Sequence, residues 1–228
     1  MKLFNRLLEK CRLTFFPFLQ DSYSQEGEDL LISRYLPIGK KGFYVDIGAH
    51  HPKRFSNTYR LYRQGWRGIT IEPTPNTKHL FQKMRPLDIH LTMGVGKEAE
   101  LKTLYEFNDT ALNTFEPDFK NRLVNETEYH IIASHEIQIQ PLSNILKAHM
   151  PREQTIDLLS IDAEGYDMAI IESNDWQQYQ PTWILIEQAC DSIQVALRLP
   201  MTLFLNERGY ELRSKLYNTL LFSKVFMS

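Results

Sequence analysis

The sequence predicts an α/β domain with a mostly parallel sheet and an antiparallel pair of strands at its C-terminal end. Three observations carry this. Short apolar runs alternate with helical patterns along the chain, and runs apolar on both faces belong to sheets covered on both sides. Several of these runs end in a carboxylate, as at Glu72, Asp162 and Glu187, where an open parallel sheet presents its ligand site. Finally, 228 residues with 43% hydrophobic side chains make one ordinary domain with a sizeable core.

The elements follow in order. Residues 1–21 form an amphipathic N-terminal segment, with Phe4, Leu7, Leu8 and Cys11 on one helical face. Such a face is ordinarily packed on its own domain or a second subunit, which makes a homo-oligomer an open expectation. A helix lying on a membrane surface through residues 1–19 is the alternative. Pro17 and the lack of a small-residue cleavage site argue against a signal peptide. Residues 22–228 form the main domain.

Residues 24–35 read as a helix with an acidic first turn, which suits the helix dipole. Gly39 and Gly42 turn the chain into a strand over 43–47. A helix over 56–64 has Ser56 as its N-cap and stops at Gly65. A strand over 68–72 ends on Glu72, and another over 88–93 breaks at Gly94-Val-Gly96. Residues 97–140 have a different texture, with strands over 101–107 and 135–140 around a weakly helical stretch over 113–124. They read as an insertion forming a small hairpin and a lid over an acceptor. The regular pattern resumes with a helix over 142–148, a strand over 156–161 and a helix over 166–173. A strand over 182–187 and a helix over 201–208 follow, the latter stopped by Gly209. Residues 210–212 and 218–225 form the closing antiparallel pair.

A net charge of −2 gives no pull toward nucleic acid. Cys11 and Cys190 lie far apart with no metal-ligand spacing, which fits a reducing cytoplasm. No run approaches the roughly 18 apolar residues of a membrane span. The expected location is cytoplasmic, with the inner face of the membrane as an alternative through the N-terminal segment.

The strand over 43–47, the helix after it and the strand ending on Glu72 make a βαβ unit. An acid at the end of its second strand is where nucleoside cofactors place their ribose hydroxyls. A dinucleotide site needs Gly-x-Gly-x-x-Gly to bring the backbone against a pyrophosphate. Here Gly48 is followed by His50, His51, Pro52 and Lys53. A cofactor with an adenosyl ribose and no phosphate fits better, and S-adenosylmethionine is such a molecule. A nicotinamide-dependent dehydrogenase or epimerase is the enzyme alternative, and a catalytically silent cofactor-binding module is the other.

Five motifs together resemble the FkbM family of S-adenosylmethionine-dependent methyltransferases. They are YSQEGED (23–29), GFYVDIGAHHP (42–52), SNT (56–58), GWRGITIEP (65–73) and IDAEG (161–165). Two positions depart from the family pattern: His50, where asparagine is frequent, and Ser143, where aspartate is common. The resemblance implies a class I, Rossmann-like methyltransferase fold with a seven-stranded sheet and an antiparallel last hairpin. It implies methyl transfer to a hydroxyl, often on a sugar, as in polysaccharide biosynthesis. Glu72 would accept the two ribose hydroxyls. Asp46 and Gly48 would line the methionine end with Gln25 reaching it, and Gly94 and Val95 would border the adenine.

At the reacting end, Asp162 is the candidate general base, because a nearby base assists an in-line methyl transfer to oxygen. Glu187 and His50 are further candidates for catalysis. Asp162, Glu187 and Gln188 form an alternative oxygen-only set suited to Mg²⁺, resembling that of catechol-type methyltransferases; metal is not the favoured reading. Lys53, Asn113 and Thr114, with Phe115 beside them, are the expected contacts to a small-molecule or glycan acceptor.

Overall fold

The computed structural model describes residue 18, residues 20–37 and residues 39–225. The first half runs α1 (Glu28–Tyr35), β1 (Phe43–Ile47), α2 (Tyr59–Arg63), β2 (Arg67–Ile71), α3 (Lys78–Met84) and β3 (Ile89–Leu91). The middle supplies β4 (Gly94–Val95), β5 (Glu100–Phe107), α4 (Pro117–Glu126) and β6 (Ile131–Gln140). The remainder is α5 (Leu142–His149), β7 (Leu158–Ile161), α6 (Asp167–Glu172), β8 (Trp183–Glu187), α7 (Ile193–Ala196), α8 (Pro200–Asn206), β9 (Tyr210–Lys215) and β10 (Thr219–Lys224).

The main sheet has seven strands in the order β3-β2-β1-β7-β8-β10-β9. The first five are parallel, and β10 pairs antiparallel with both β8 and β9. The expected seven-stranded, mostly parallel sheet with an antiparallel end is therefore present. Residues 1–17 and 19 lie outside the described residues, and with them nearly all of the amphipathic segment expected at 1–19. Among the described residues no helix is long and apolar enough to cross a membrane.

Strand periodicity divides the core into two faces. Val45, Ile47, Ile69, Ile71, Leu159, Ile161, Ile184 and Ile186 point to one side, against α5, α6 and α8. Tyr44, Leu158, Leu185 and Leu221 point to the other, against Ile32 of α1, Leu61 of α2 and Trp66. Burying a leucine or isoleucine stabilises by about 1.5–3 kcal/mol relative to exposure, so these rows carry most of the folding drive.

The second face is not uniformly apolar. Pairing register sets His90, Thr70, Asp46 and Ser160 side by side across β3, β2, β1 and β7. Arg85, just after α3, closes this polar row from outside and is 1% exposed. Its Nε donates to Asp88 at 2.7 Å, and its Nη2 donates to Tyr44 at 2.8 Å and Thr58 at 2.9 Å. Thr58 in turn donates to Asp46, which lies 4.0 Å from the guanidinium. The buried charges are thus paired and hydrogen-bonded, the condition under which burial is tolerated.

Three local differences from the sequence reading have physical reasons. The helix expected over 56–64 starts at Tyr59, because Ser56 accepts from the Tyr59 N–H rather than joining the helix. Helices α3 and α7 were not expected; both are short and lack a clear apolar period. Gly94 and Val95 do not merely break a strand. They form β4, parallel to the end of β6, so the insertion's three-stranded sheet begins before residue 97. A Cβ on Gly94 would lie 2.3 Å from Ile139 Cδ1, so a larger residue there would push the Ile139 side chain aside.

Removing one partner of a buried charge network leaves the others unpaired. Arg85→Met is expected to destabilise the chain by about 3–5 kcal/mol, measured by urea unfolding near neutral pH. A loss under about 1 kcal/mol would show that Asp46 and Asp88 are stable without it.

Candidate active site

The strand order reverses between β1 and β7, and the main cleft lies beyond the carboxyl ends of β1, β2 and β7. It measures about 800 Å³ including its open mouth. Gly48, Glu72 and Asp162 reach it from those three strand ends, Gly94 and Val95 from β4, and Asn113, Thr114 and Phe115 from the insertion. Gln25 closes it from the turn before α1.

Gly48 makes this convergence feasible. Its φ is +73°, and a Cβ there would sit 1.6 Å from the carbonyl oxygen of Asp162. Its N–H donates to Ile71 at 3.0 Å, and the Asp162 N–H donates to Ile47 at 3.0 Å. Only a glycine lets three strand ends close to this distance.

Glu72 is 6% exposed. Its Oε2 accepts from the His50 backbone N–H at 2.8 Å, and its Oε1 accepts from the Thr74 backbone N–H at 2.9 Å. Burial pushes its pKa up, while the Thr74 hydroxyl and the two N–H groups act in the opposite direction. A carboxylate offers about four lone-pair positions, so Glu72 retains acceptor capacity beyond these two N–H groups.

Asp46 stands differently from expectation. As the neighbour of Val45 and Ile47 in β1, it points to the opposite face and belongs to the Arg85 network, away from the cleft lining. Alternation along the strand separates it from Gly48 although they are two residues apart.

The second acidic centre joins Asp162, Glu164 and Glu187, whose carboxylate oxygens lie within 4.8 Å of one another. Asp162 faces the Glu187 carboxylate, and burial together with that neighbour pushes the Asp162 pKa well up. Glu164, set in a left-handed turn at φ +46°, is pushed up to about 8 by burial and by Glu187 and Asp167. Asp167 caps the turn by accepting from Ala163 at 3.1 Å and Gly165 at 3.3 Å, and burial raises it to about 6. Glu164 takes the place expected for Gln188, whose amide instead donates to the Ala189 carbonyl at 3.5 Å.

Other expected residues are distributed as follows. The His50 ring lines the cleft, yet its Nε2 is engaged with the Thr110 hydroxyl at 3.1 Å; burial and Arg54 lower its pKa, so it stays neutral near pH 7. Lys53 lies outside the cleft, with its ammonium 5.8 Å from the Tyr23 ring centre. Asn113 and Thr114 do line the wall. Thr110, Glu164 and Tyr166 were not assigned from sequence. Only Glu164 had a signal, as the third acid of the Asp162–Gly165 turn.

Glu164 and Asp167 hold protons more tightly in the folded chain than in the unfolded one, where their pKa values are about 4. Their contribution is fully present below pH 4 and is lost as pH rises through about 6 for Asp167 and about 8 for Glu164. Wild-type stability is therefore expected to fall between pH 5 and 8. Glu164→Gln, which cannot ionise, should flatten that fall in urea unfolding at pH 5, 6.5 and 8. A pH-independent difference between the two proteins would contradict it.

A family model described as Methyltransferase FkbM domain matches residues 46–212. No curated protein matches the chain in sequence. Among solved structures, the chain is similar to the crystal structure of methyltransferase FkbM from Methylobacillus flagellatus KT, at 13% identity and a TM-score of 0.51. That match covers 88% of this chain and 48% of that one, so the chain spans about half the length of the solved protein. It is also similar to the N-terminal domain of human METTL16, at 12% identity and a TM-score of 0.43, over 87% of this chain and 67% of that one. The first likeness bears on the fold alone.

Proposed function

The chain belongs to the methyltransferase FkbM family, and from that premise we propose that it transfers the methyl group of S-adenosylmethionine to a hydroxyl of a sugar in a glycan or glycolipid precursor. The observation that carries the cofactor half is Glu72, buried at the cleft wall with both oxygens oriented by backbone N–H groups. The described lining contains no Lys or Arg, and Gly48 is the single glycine of its turn. A pyrophosphate would find neither positive charge nor a cradle of N–H groups there, which weighs against a dinucleotide.

The residues fit the cofactor as follows. Glu72 would hold the ribose hydroxyls, Gly48 and Gln25 would border the methionine end, and Gly94 and Val95 would border the adenine. When bound, S-adenosylmethionine supplies an electrophilic methyl group on a sulfonium. The chain's task is then alignment of the acceptor, which supplies most of the rate, and acceptance of its proton. Asp162, once ionised, would take that proton, its raised proton affinity making it the stronger acceptor; a positioned base adds about 10²- to 10⁴-fold. Glu187 would contribute to that raised affinity as the neighbouring carboxylate.

The acceptor end supports a sugar by its chemistry. Phe55, Phe115 and Tyr166 line it with aromatic surface, and Asp162 and Glu164 offer carboxyl oxygens to hydroxyl groups. Asn113 and Thr114 lie on the same wall, whereas Lys53 has no place in this reading. Three carboxylates also match the oxygen donors that Mg²⁺ prefers. A proton held by Asp162 is the simpler reading, because its raised proton affinity beside Glu187 already relieves the repulsion between them. In that case the thermal midpoint is the same with millimolar Mg²⁺ or with a chelator; a Mg²⁺-dependent rise would assign a metal to the trio.

Calorimetric titration with S-adenosylhomocysteine and, separately, with NADH tests the cofactor. Micromolar binding of the former is expected, weakened at least about tenfold by Glu72→Ala through loss of two charge-assisted hydrogen bonds. Binding of NADH without S-adenosylhomocysteine would overturn the proposal.

A further inference from the structure

Glu72 is oriented at two points, and both are tied to the insertion. The loop that supplies the His50 N–H also sends the His50 ring to the Thr110 hydroxyl, 3.1 Å from Nε2. The loop that supplies the Thr74 N–H presents the Thr74 hydroxyl, which accepts from Asn113 Nδ2 at 3.0 Å. Thr110 and Asn113 flank one short 3-10 turn, Thr110–Leu112, whose start is capped by Asp109 accepting from the Ala111 N–H.

That turn is itself anchored. Asn113 Oδ1 accepts from the Phe107 N–H at 2.9 Å, at the end of β5. Tyr105 and Thr114 exchange backbone hydrogen bonds of 2.9 and 3.2 Å. The Asn113 carboxamide therefore bridges β5 to the loop beside Glu72, with its donor on one partner and its acceptor on the other.

The two loops need an outside hold. His50 has φ +45°, a left-handed conformation that a residue with a branched ring carries at a cost unless its surroundings fix it. Thr74 is 4% exposed, so its hydroxyl must find partners within the protein. Asn113 supplies one. That bond ties the residue whose backbone N–H donates to Glu72 to the insertion.

We infer that Thr110 and Asn113 are positioning residues of the cofactor site: through His50 and Thr74, the insertion holds the two N–H groups that orient Glu72. The inference rests on the reading of Glu72 as the ribose-binding carboxylate. It moves Asn113 from the acceptor to the cofactor side. It also makes the insertion part of the cofactor site, so that cofactor occupancy and the placement of the acceptor wall are thermodynamically linked.

The test is calorimetric titration of the full chain with S-adenosylhomocysteine and with its 2′-deoxyribose analogue. The proteins are wild type, Thr110→Val, Thr110→Ser and Asn113→Leu. Thr110→Val keeps the shape of the side chain and removes the hydroxyl, so it separates the latch from folding. Thr110→Val and Asn113→Leu are each expected to weaken S-adenosylhomocysteine binding by about fivefold, a typical coupling between linked sites. Thr110→Ser should restore the wild-type value. The preference for the ribose over the 2′-deoxyribose ligand should shrink in the two weakened variants, which a general loosening of the fold would not produce. Unchanged binding in both variants overturns the inference. Loss confined to Asn113→Leu also overturns it, as the effect would then belong to the Phe107 contact. A wild-type chain that binds no S-adenosylhomocysteine removes the cofactor reading and the inference together, whereas binding abolished by Glu72→Ala but indifferent to Thr110 and Asn113 removes the inference alone.

Discussion

The buried guanidinium of Arg85 is the constraint on which the active end of the sheet depends. It joins Asp88 before β3, Tyr44 of β1 and Thr58 at the start of α2, and through Thr58 it reaches Asp46. Strand β1, the start of α2 and the turn before β3 are thereby fixed relative to one another at the level of the polar row. Asp88 extends the same anchor to β2 by accepting from the Gly68 N–H at 3.1 Å. A planar, permanently charged fork suits this task, because it serves several acceptors in one plane without losing its charge on burial. The turn from Gly48 to His50 leaves β1 just above that anchor, and the direction of the turn decides where Glu72 finds its donors.

The two acidic centres of the cleft show how environment separates identical side chains into different roles. Glu72 is surrounded by N–H donors from two loops, a setting for accepting ligand hydroxyls in fixed directions. Asp162, Glu164 and Glu187 face mainly one another. Burial and mutual repulsion raise the proton affinity of Asp162 and Glu164, a setting for holding and exchanging a proton. The cleft therefore carries one carboxylate held by N–H donors and, across the switch point, two carboxylates of raised proton affinity, Asp162 and Glu164.

The insertion stands between these centres. Its strand β5 and the 3-10 turn at 110–112 bring Asn113, Thr114 and Phe115 to the wall, while β4 supplies Gly94 and Val95 beneath. Because β4 pairs with the end of β6, the insertion's own three-stranded sheet takes in Gly94 and Val95, which line the cleft. A segment attached in this way is part of the site's frame as well as its cover.

Much of the fold was legible in the chain. Apolar runs of four to six residues, glycines at their ends and intervening helical patterns depend on local chemistry, so they revealed the parallel sheet, the antiparallel end and the strand-end acids Glu72 and Asp162. The single glycine at Gly48 in its turn likewise argued against a dinucleotide. What the chain alone could not reveal was direction and partnership. Asp46 follows the same rule of alternation as its neighbours, but which face the cleft would occupy depended on how the strands turned at Gly48. Arg85 carries no local signal and Glu164 only that of an acid in the Asp162–Gly165 turn, because their settings arise from groups brought close by folding: Tyr44 and Thr58 for the one, Glu187 and Asp167 for the other. The pairing of Asn113 with Thr74 is of the same kind. Local sequence determined the elements and their ends; only the tertiary structure decided which polar groups, distant along the chain, would meet without water, where hydrogen bonding and repulsion are strong enough to assign each a role.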